Sequence, residues 1–388
     1  MTASNIHVTI LSDKNSDHPN EEKIDGILVN RISHLMLAPI IKKKELIKAI
    51  LKSNPDLVVW YGTPLSAIYL NQLRSIRKPL IWDVDRDLHS LKILSGISFR
   101  EILRPHHNSL WSQVITALFP RLVIRIVANS ALISKIVVPS RSLKMSLCKI
   151  GVESRKIAIV PSTIEKVASN CLSIDENNRE SKKNAGFIAD DFIVAYFGSP
   201  CTLRGVDTAV FSMRKILMKR QDIKLVIFSR RDLGEYAAAD GYLETEEENL
   251  TKLVKKLGLG EHVKIIPGML GELELKQYLY ASDVIALPFK LVLSEPPLSI
   301  LEAMSMGKAI VTTNLGSLSE IVGDDRGILI EPNSAEALAQ AVLFLADHPE
   351  ESALIGKNAQ RFVASLPDWE HVALQFAEVL NEAFEGSE

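Results

Sequence analysis

Short apolar runs alternate with helix-length segments along most of the chain. Residues 284–287 and 309–313 have the length and composition of buried strands, and apolar residues recur at helical spacing between them from Leu298 onward. Gly307 follows the last of these residues, as is common just after the end of a helix. The order predicts a β-loop-α-β unit. A similar alternation at 56–61 and 79–84 extends the predicted α/β pattern into the first half of the chain.

The start of this helix is a candidate binding site. In a β-loop-α-β unit, the loop at the carboxyl end of the strand and the first helical turn form a ligand crevice. The N–H groups of Leu298, Ser299 and Ile300, together with the helix dipole, favour an anion such as phosphate. Glu302 lies four residues after Leu298 and could accept hydrogen bonds from ribose hydroxyls. A nucleotide-sugar fits this arrangement, and so does an exposed glutamate in an ordinary Rossmann-like domain.

Residues 283–322 resemble the signature of the group-1 type of retaining, nucleotide-sugar-dependent glycosyltransferases, which have the GT-B fold. Residues 302–307, EAMSMG, match the family's second glutamate and its A-M-x-x-G pattern, and residues 318–322 are similar to its later L-x-E-I-V segment. The resemblance implies an α/β protein with two Rossmann-like domains facing a cleft.

The loop before this helix departs from the family pattern. The first glutamate of the family's E-x7-E pair falls on Ser294, with Glu295 one place away. Pro296 and Pro297 replace the family's Phe-Gly pair and remove one backbone donor each. The resemblance therefore implies Ser294 or Glu295 as the contact to the donor sugar.

A second similar segment begins at Gly198 and ends in Arg204-Gly205-Val206-Asp207, like the family's loop ending in K/R-G-V-D. The resemblance implies that Arg204 neutralises the donor diphosphate, with Lys290 as a second cation, and that the Pro267–Gly268 turn holds the nucleobase. At the strand end where the family usually carries His-Asp, Asp85 or Arg86 would stand in for the histidine. The implied catalytic residues are Arg204, Lys290, Glu302 and Asp85. The implied donor-binding residues are Gly198, Arg204, Gly268, Ser294, Glu295, Leu298, Ser299 and Glu302.

The same resemblance divides the chain. Residues 1–175 would form an acceptor-binding domain, residues 186–365 a nucleotide-sugar-binding domain, and residues 366–388 a helix crossing back to the first domain. Residues 172–189 are polar and charged, as expected of a linker. No cofactor and no metal are expected, because a nucleotide-diphosphate sugar is itself the co-substrate.

The chain has a net charge of -2, but its charged residues are distributed unequally between its two halves. Residues 1–160 carry 23 Lys and Arg against 12 Asp and Glu, and residues 161–388 carry 22 against 35. The basic half indicates an anionic partner, for which an anionic membrane surface is one interpretation, although oppositely charged halves could also attract each other. Three cysteines and the absence of a charged, apolar leader predict a cytoplasmic protein without a signal peptide. If the basic half binds a membrane surface, the protein would be peripheral to that membrane. Nucleic acid is not expected as a partner.

Asp83, Asp85 and Asp87 alternate after the run at 79–84 and could bind a divalent cation. They support one alternative hypothesis, a metal-dependent phosphohydrolase. The altered loop supports another, a catalytically degraded, nucleotide-binding scaffold subunit. The main hypothesis is a retaining glycosyltransferase of the hexosyltransferase type, acting on a glycan or lipid-linked acceptor.

Overall fold

The computed structural model describes residues 6–14, 19–32, 42–86, 118, 120–165, 178–230, 242–292 and 295–386. These residues divide into two compact units. The first unit contains the described residues up to 86, those of 118–161, and the carboxy-terminal residues from Glu370 onward. The second unit contains the described residues of 162–369.

The second unit is built on a six-stranded, fully parallel sheet with the strand order β10-β9-β8-β11-β12-β13. Its strands are β8 (Phe192–Phe197), β9 (Ile223–Arg230), β10 (Val263–Leu270), β11 (Val284–Leu287), β12 (Ala309–Thr313) and β13 (Ile328–Ile330). In order of appearance within the unit this is 3-2-1-4-5-6, the order of a Rossmann fold.

Helices connect these strands. They are α5 (Asn178–Asn184), α6 (Val206–Ile216), α7 (Tyr242–Lys256), α8 (Glu272–Ala281), α9 (Leu298–Ser305), α10 (Leu318–Val322), α11 (Ala335–Asp347) and α12 (Pro349–Ser365). Every residue of β11 and β12 is buried, which explains why both sequences are continuous apolar or small-residue runs rather than alternating ones.

The first unit contains two smaller sheets. In the first sheet β3 (Ile27–Ile32) lies between β1 (Thr9–Asp13), which is parallel to it, and β2 (Glu21–Ile24), which is antiparallel. The second sheet is parallel, with the order β4 (Val58–Gly62), β5 (Leu80–Val84), β6 (Ile133–Val138) and β7 (Ile157–Ile159). The helices of this unit are α1 (Lys43–Lys52), α2 (Ala67–Leu70), α3 (Arg121–Asn129), α4 (Arg141–Lys149) and α13 (Trp369–Glu385).

Helix α13 packs on this parallel sheet although it is the last element of the chain. Its Val372 and Val379 belong to one buried cluster with Ile81 of β5 and Val137 of β6. Lys135 Nζ also donates to Glu382 Oε2 at 2.6 Å. The carboxy terminus is therefore a structural part of the first unit. The parallel sheets of both units confirm the predicted α/β class.

Gly205 lies at a close approach between two loops of the second unit. Its φ is +80°, and a Cβ atom at this position would collide with the carbonyl oxygen of Pro288, which follows β11. Any other residue would therefore force the β8–α6 and β11–α9 loops apart.

We expect Gly205→Ala to lower the free energy of unfolding by about 3 kcal/mol or more, because a backbone atom has to move to admit the methyl group. The measurement is urea unfolding of the full chain followed by circular dichroism. Gly258→Ala is the matched control, since Gly258 has a φ of +68° and no atom within 4 Å of the position that the added methyl group would take. This control should lose only about 1–2 kcal/mol. Equal losses in the two variants would show that the conformation, not the collision, sets the cost.

Candidate functional site

The site lies where the strand order of the second unit changes direction, between β8 and β11. Loops leaving the carboxyl ends of two such strands diverge, and ligands bind in the crevice between them. Here the loops are joined at their base, because the N–H groups of Lys290 and Leu291 both donate to the Leu203 carbonyl oxygen, at 3.0 and 3.1 Å. The β8–α6 loop is thereby held against the segment that leads into α9.

Arg204 crosses from one of these loops to the other. Its Nη2 donates to Ser299 Oγ at 2.9 Å, and its guanidinium carbon lies 5.1 Å from the centre of the Phe289 ring. The guanidinium also lies over Gly198, where a Cβ atom would be 2.8 Å from Nη2. Gly198 therefore provides the space for the arginine, which places a positive charge beside the first turn of α9.

The amino-terminal turn of α9 adds backbone donors. Its N-cap residue is Pro297, and no side chain caps the helix. The Ile300 N–H donates to the Pro297 carbonyl oxygen at 2.9 Å, so this group is engaged, contrary to expectation. Leu298 and Ser299 have no such backbone partner among the described residues. Two N–H groups, the helix dipole and the guanidinium together make an anion-binding position.

Glu302 lies on the same face of α9 as Leu298 and Ser299, four and three residues further along the helix. Its side chain is half-buried. A carboxylate one helical turn behind an anion position can accept hydrogen bonds from hydroxyl groups attached to that anion. The structure thus brings Gly198, Arg204, Leu298, Ser299 and Glu302 together in one unit.

Lys290 has a partner that its sequence position did not predict. It is buried, and its Nζ forms a 2.6 Å ion pair with Asp207 Oδ2, in the first turn of α6. The pair joins the same two loops that the Leu203 carbonyl joins. Because Asp207 offsets its charge locally, Lys290 helps to hold the loops together, and its predicted role as a second cation for the diphosphate stays a prediction.

Glu295 is also turned into the protein. It is 4% exposed, and its Oε2 accepts a hydrogen bond from the Ser317 N–H at 2.8 Å. Gly316 lies so close that a Cβ there would collide with the carboxylate. Glu295 therefore connects the start of α9 to the segment after β12, and the sugar contact predicted for it stays a prediction. Ser294, the other candidate for that contact, lies outside the described residues.

Gly268 lies within a strand rather than in the predicted turn. Strand β10 continues to Leu270, and its register to β9 shifts between Ile266 and Met269. Pro267 and Gly268 thus form a bulge. The Gly268 N–H donates to Glu247 Oε1 of α7 at 3.0 Å, so this backbone donor is already engaged.

Asp85 belongs to the first unit, at the carboxyl end of β5. It is buried, and its Oδ2 accepts a hydrogen bond from the Tyr61 hydroxyl at 2.5 Å. Burial, and then the nearby Asp85 charge, raise the pKa of Asp83 to about 6. Asp87 lies outside the described residues, and among those described no three His, Cys, Asp or Glu side chains are grouped to hold a metal ion.

The fold and the site define a class of protein, and comparisons with known proteins support it. The structure is similar to a sucrose-phosphate synthase from Thermosynechococcus elongatus, with a TM-score of 0.72 and 20% identity, over 99% of this chain and 90% of the other. It is similar to Anabaena HepE in complex with UDP-glucose, with a TM-score of 0.65 and 18% identity, over 92% and 86% of the two chains. Its architecture is that of the GT-B glycosyltransferases.

Sequence comparisons then give the family. Residues 177–362 match the family model described as glycosyl transferases group 1, and this segment belongs to that family. An uncharacterized glycosyltransferase from Methanocaldococcus jannaschii is 24% identical over 65% of this chain and 60% of its own. The lipopolysaccharide 1,2-N-acetylglucosaminetransferase of Salmonella typhimurium is 24% identical over 65% and 63%. The chain thus spans about 60% of the length of these two relatives.

Several residues that contact Arg204, Glu295 or Asp85 were not identified from the sequence, among them Tyr61, Phe289, Gly316 and Ser317. Gly316 carried a signal, since a glycine just after a buried strand can permit a close approach. The others could not be found from the sequence, because each acts through a partner far away along the chain.

We expect Glu295→Ala to lower the free energy of unfolding by about 1–3 kcal/mol, because it leaves the Ser317 N–H buried without an acceptor. Glu295→Gln keeps an acceptor oxygen and should lose less than about 1 kcal/mol. Gly316→Ala should lose about 1–2 kcal/mol more than Glu295→Ala, since its methyl group displaces the same carboxylate and its φ of +50° adds the cost of a left-handed alanine. Urea unfolding of the three variants measures these losses.

Ligand affinity separates this structural role from a contact with the donor sugar. For Glu295→Gln we expect the ratio of affinities for a nucleotide-sugar and its nucleoside diphosphate to match that of the wild type. A selective loss of affinity for the nucleotide-sugar, with unchanged affinity for the diphosphate, would show that Glu295 contacts the donor sugar.

We expect Asp83→Asn to stabilise the protein at pH 7–8 by on the order of 2 kcal/mol. A carboxyl group whose pKa is raised on folding is most favourable below its ordinary pKa of about 3.9, and that contribution is lost as the pH rises through about 6. The advantage of the asparagine variant over the wild type should therefore disappear as the pH falls from about 6 to about 4. Thermal unfolding across this range measures it. Asp56→Asn, at an exposed position, is the matched control for the charge change. A pH-independent gain in Asp83→Asn would contradict the ionisation argument.

Proposed function

We propose that the second unit binds a nucleotide-diphosphate sugar at the tip of α9. The observation that carries this proposal is the position of Arg204, which donates to Ser299 at 2.9 Å beside two backbone donors of the helix. The guanidinium and the helix tip suit the diphosphate, and Glu302 suits the ribose. Membership of residues 177–362 in the group 1 family and the UDP-glucose bound to the similar HepE support the choice of ligand.

We further propose that the bound sugar is transferred with retention of its anomeric configuration. The bond between the anomeric carbon and the diphosphate breaks, and a new bond forms between that carbon and an acceptor hydroxyl. Arg204 and the N–H groups of Leu298 and Ser299 would stabilise the negative charge that develops on the departing diphosphate. The leaving phosphate would help remove the acceptor proton, so no metal or cofactor is proposed.

The acceptor is proposed to be a glycan or a lipid-linked molecule bound by the first unit. The lipopolysaccharide transferase named among the relatives supports this class of acceptor. A position at the cytoplasmic face of a membrane is proposed as well. Asp85 is proposed to act near the acceptor, where its hydrogen bond from Tyr61 would fix its orientation.

A nucleotide-binding scaffold without transfer activity is the second candidate. It is favoured by two observations: Lys290 is paired with Asp207, and Glu295 is bound to Ser317. Two side chains that could have reached a ligand thus support loop structure. The phosphohydrolase hypothesis gains no comparable support, because Asp85 is engaged by Tyr61.

We expect the full chain to bind one of UDP, GDP or ADP, and the binding to persist in EDTA. Arg204→Ala should weaken that binding about ten- to a hundredfold, the effect of losing hydrogen bonds to a charged group. The affinity of Arg204→Lys should lie between those of the wild type and Arg204→Ala, since lysine keeps the charge but lacks the planar guanidinium. Isothermal titration calorimetry measures the affinities of the three proteins.

Arg214→Ala is the matched control, because Arg214 is an exposed arginine on α6 of the same unit. It should bind like the wild type, and equal losses in Arg204→Ala and Arg214→Ala would refute the site assignment.

Turnover separates enzyme from scaffold without a known acceptor. Slow donor hydrolysis, with water replacing the acceptor, can be followed by NMR. A sugar released first with the donor's anomeric configuration supports retaining transfer. Nucleotide binding with neither hydrolysis of the donor nor transfer to any glycan or lipid-linked acceptor tested supports the scaffold.

A further inference from the structure

A basic segment of the chain contains α3 and α4 of the first unit. Residues 102–152 contain no Asp or Glu and seven Lys and Arg. Two of the described basic residues act locally: Lys135 pairs with Glu382, and Lys144 donates to the Ile157 carbonyl oxygen. The remaining four are exposed and form no ion pair with any described residue: Arg121, Arg125, Arg141 and Lys149.

Exposed aliphatic side chains lie between these cations. On α3, Leu122 and Ile126 are one turn apart and are 53% and 58% exposed. On α4, Met145 is 59% exposed and lies midway between Arg141 and Lys149, with four residues on either side. Each helix thus shows solvent a mixed cationic and aliphatic face, while its opposite face contributes to the buried core.

The residues just after α4 contact α3, so the two exposed faces approach each other at this end. The Arg125 side chain lies across Gly151, where a Cβ atom would be 2.6 Å from Arg125 Cδ. Asn129 Nδ2 of α3 donates to the Gly151 carbonyl oxygen at 2.9 Å. We call the four cations and three aliphatic residues named above the α3–α4 surface.

We propose that the α3–α4 surface docks on an anionic lipid bilayer. Arginine and lysine are attracted to anionic headgroups, and aliphatic side chains beside them can enter the boundary between headgroups and acyl chains. A nucleic acid would match the charge but would leave the aliphatic residues exposed to water. None of the helices in the described part of the chain has the length and apolar character to cross a bilayer. The contact would be peripheral, and it does not depend on sugar transfer.

The test is co-sedimentation of the full chain with vesicles of phosphatidylcholine containing about a third phosphatidylglycerol. We expect binding to these vesicles and not to pure phosphatidylcholine, and we expect it to weaken as salt screens the charges. Each cation replaced by glutamine should weaken binding about fivefold. Leu122→Ser with Ile126→Ser should weaken it on the order of tenfold while the salt dependence is unchanged.

Matched controls come from the second unit. Replacement by glutamine gives the same charge change at four exposed cations of that unit: Arg214, Lys219, Lys255 and Lys256. Replacement by serine at the exposed residues Met218 and Leu354 is the control for the aliphatic changes. Controls that lose binding as strongly as the α3–α4 variants would overturn the proposal. So would loss with the cation variants but none with the serine variants, which would indicate that the cations attract anionic surfaces in general and that the aliphatic residues do not enter the bilayer. Nucleoside diphosphate affinity should be unchanged in every α3–α4 variant, so failure here is separable from failure of the donor site.

Discussion

The candidate donor site depends on the contact between two loops at the carboxyl ends of β8 and β11. One carbonyl oxygen, that of Leu203, accepts two N–H groups from the second loop, and Gly205 leaves no space between the backbones. Because this contact fixes the loops, Arg204 reaches a serine 95 residues further along the chain. Without this contact between the loops, Arg204 would not be held beside the amino-terminal turn of α9.

The same constraint explains where the other charged groups near α9 lie. Lys290 and Glu295 are both nearly fully buried, and a buried charge is tolerated only where it is paired or hydrogen-bonded. Their partners, Asp207 and the Ser317 N–H, come from the neighbouring loops. Three loops are thus tied together by charged contacts beneath the helix tip. Arg204 lies beside the two backbone donors and bonds Ser299.

Much of this fold could be predicted from the sequence. Strands β8, β11 and β12 coincide with continuous apolar runs, because a parallel strand covered on both faces has no polar side to interrupt its pattern. The partners of Lys290 and Glu295 could not be predicted, since they are set by tertiary contacts across loops. The bulge at Gly268 escaped for a related reason: proline and glycine inside a strand have the same local signature as a turn.

The positive charge of the proposed donor site is opposite in sign to the net charge of residues 161–388. Residues 161–388 carry 35 acidic against 22 basic residues, so the long-range field of this half does not favour a diphosphate. Attraction must come from groups in direct contact: the guanidinium of Arg204 and the first N–H groups of α9. Such contacts are short compared with the distance over which salt screens charges. Charge in the α3–α4 surface is arranged differently, because its cations are exposed and act together over a distance. The proposed donor site and the proposed membrane-docking surface would therefore use positive charge in physically distinct ways, one for local recognition and one for attraction to an extended surface.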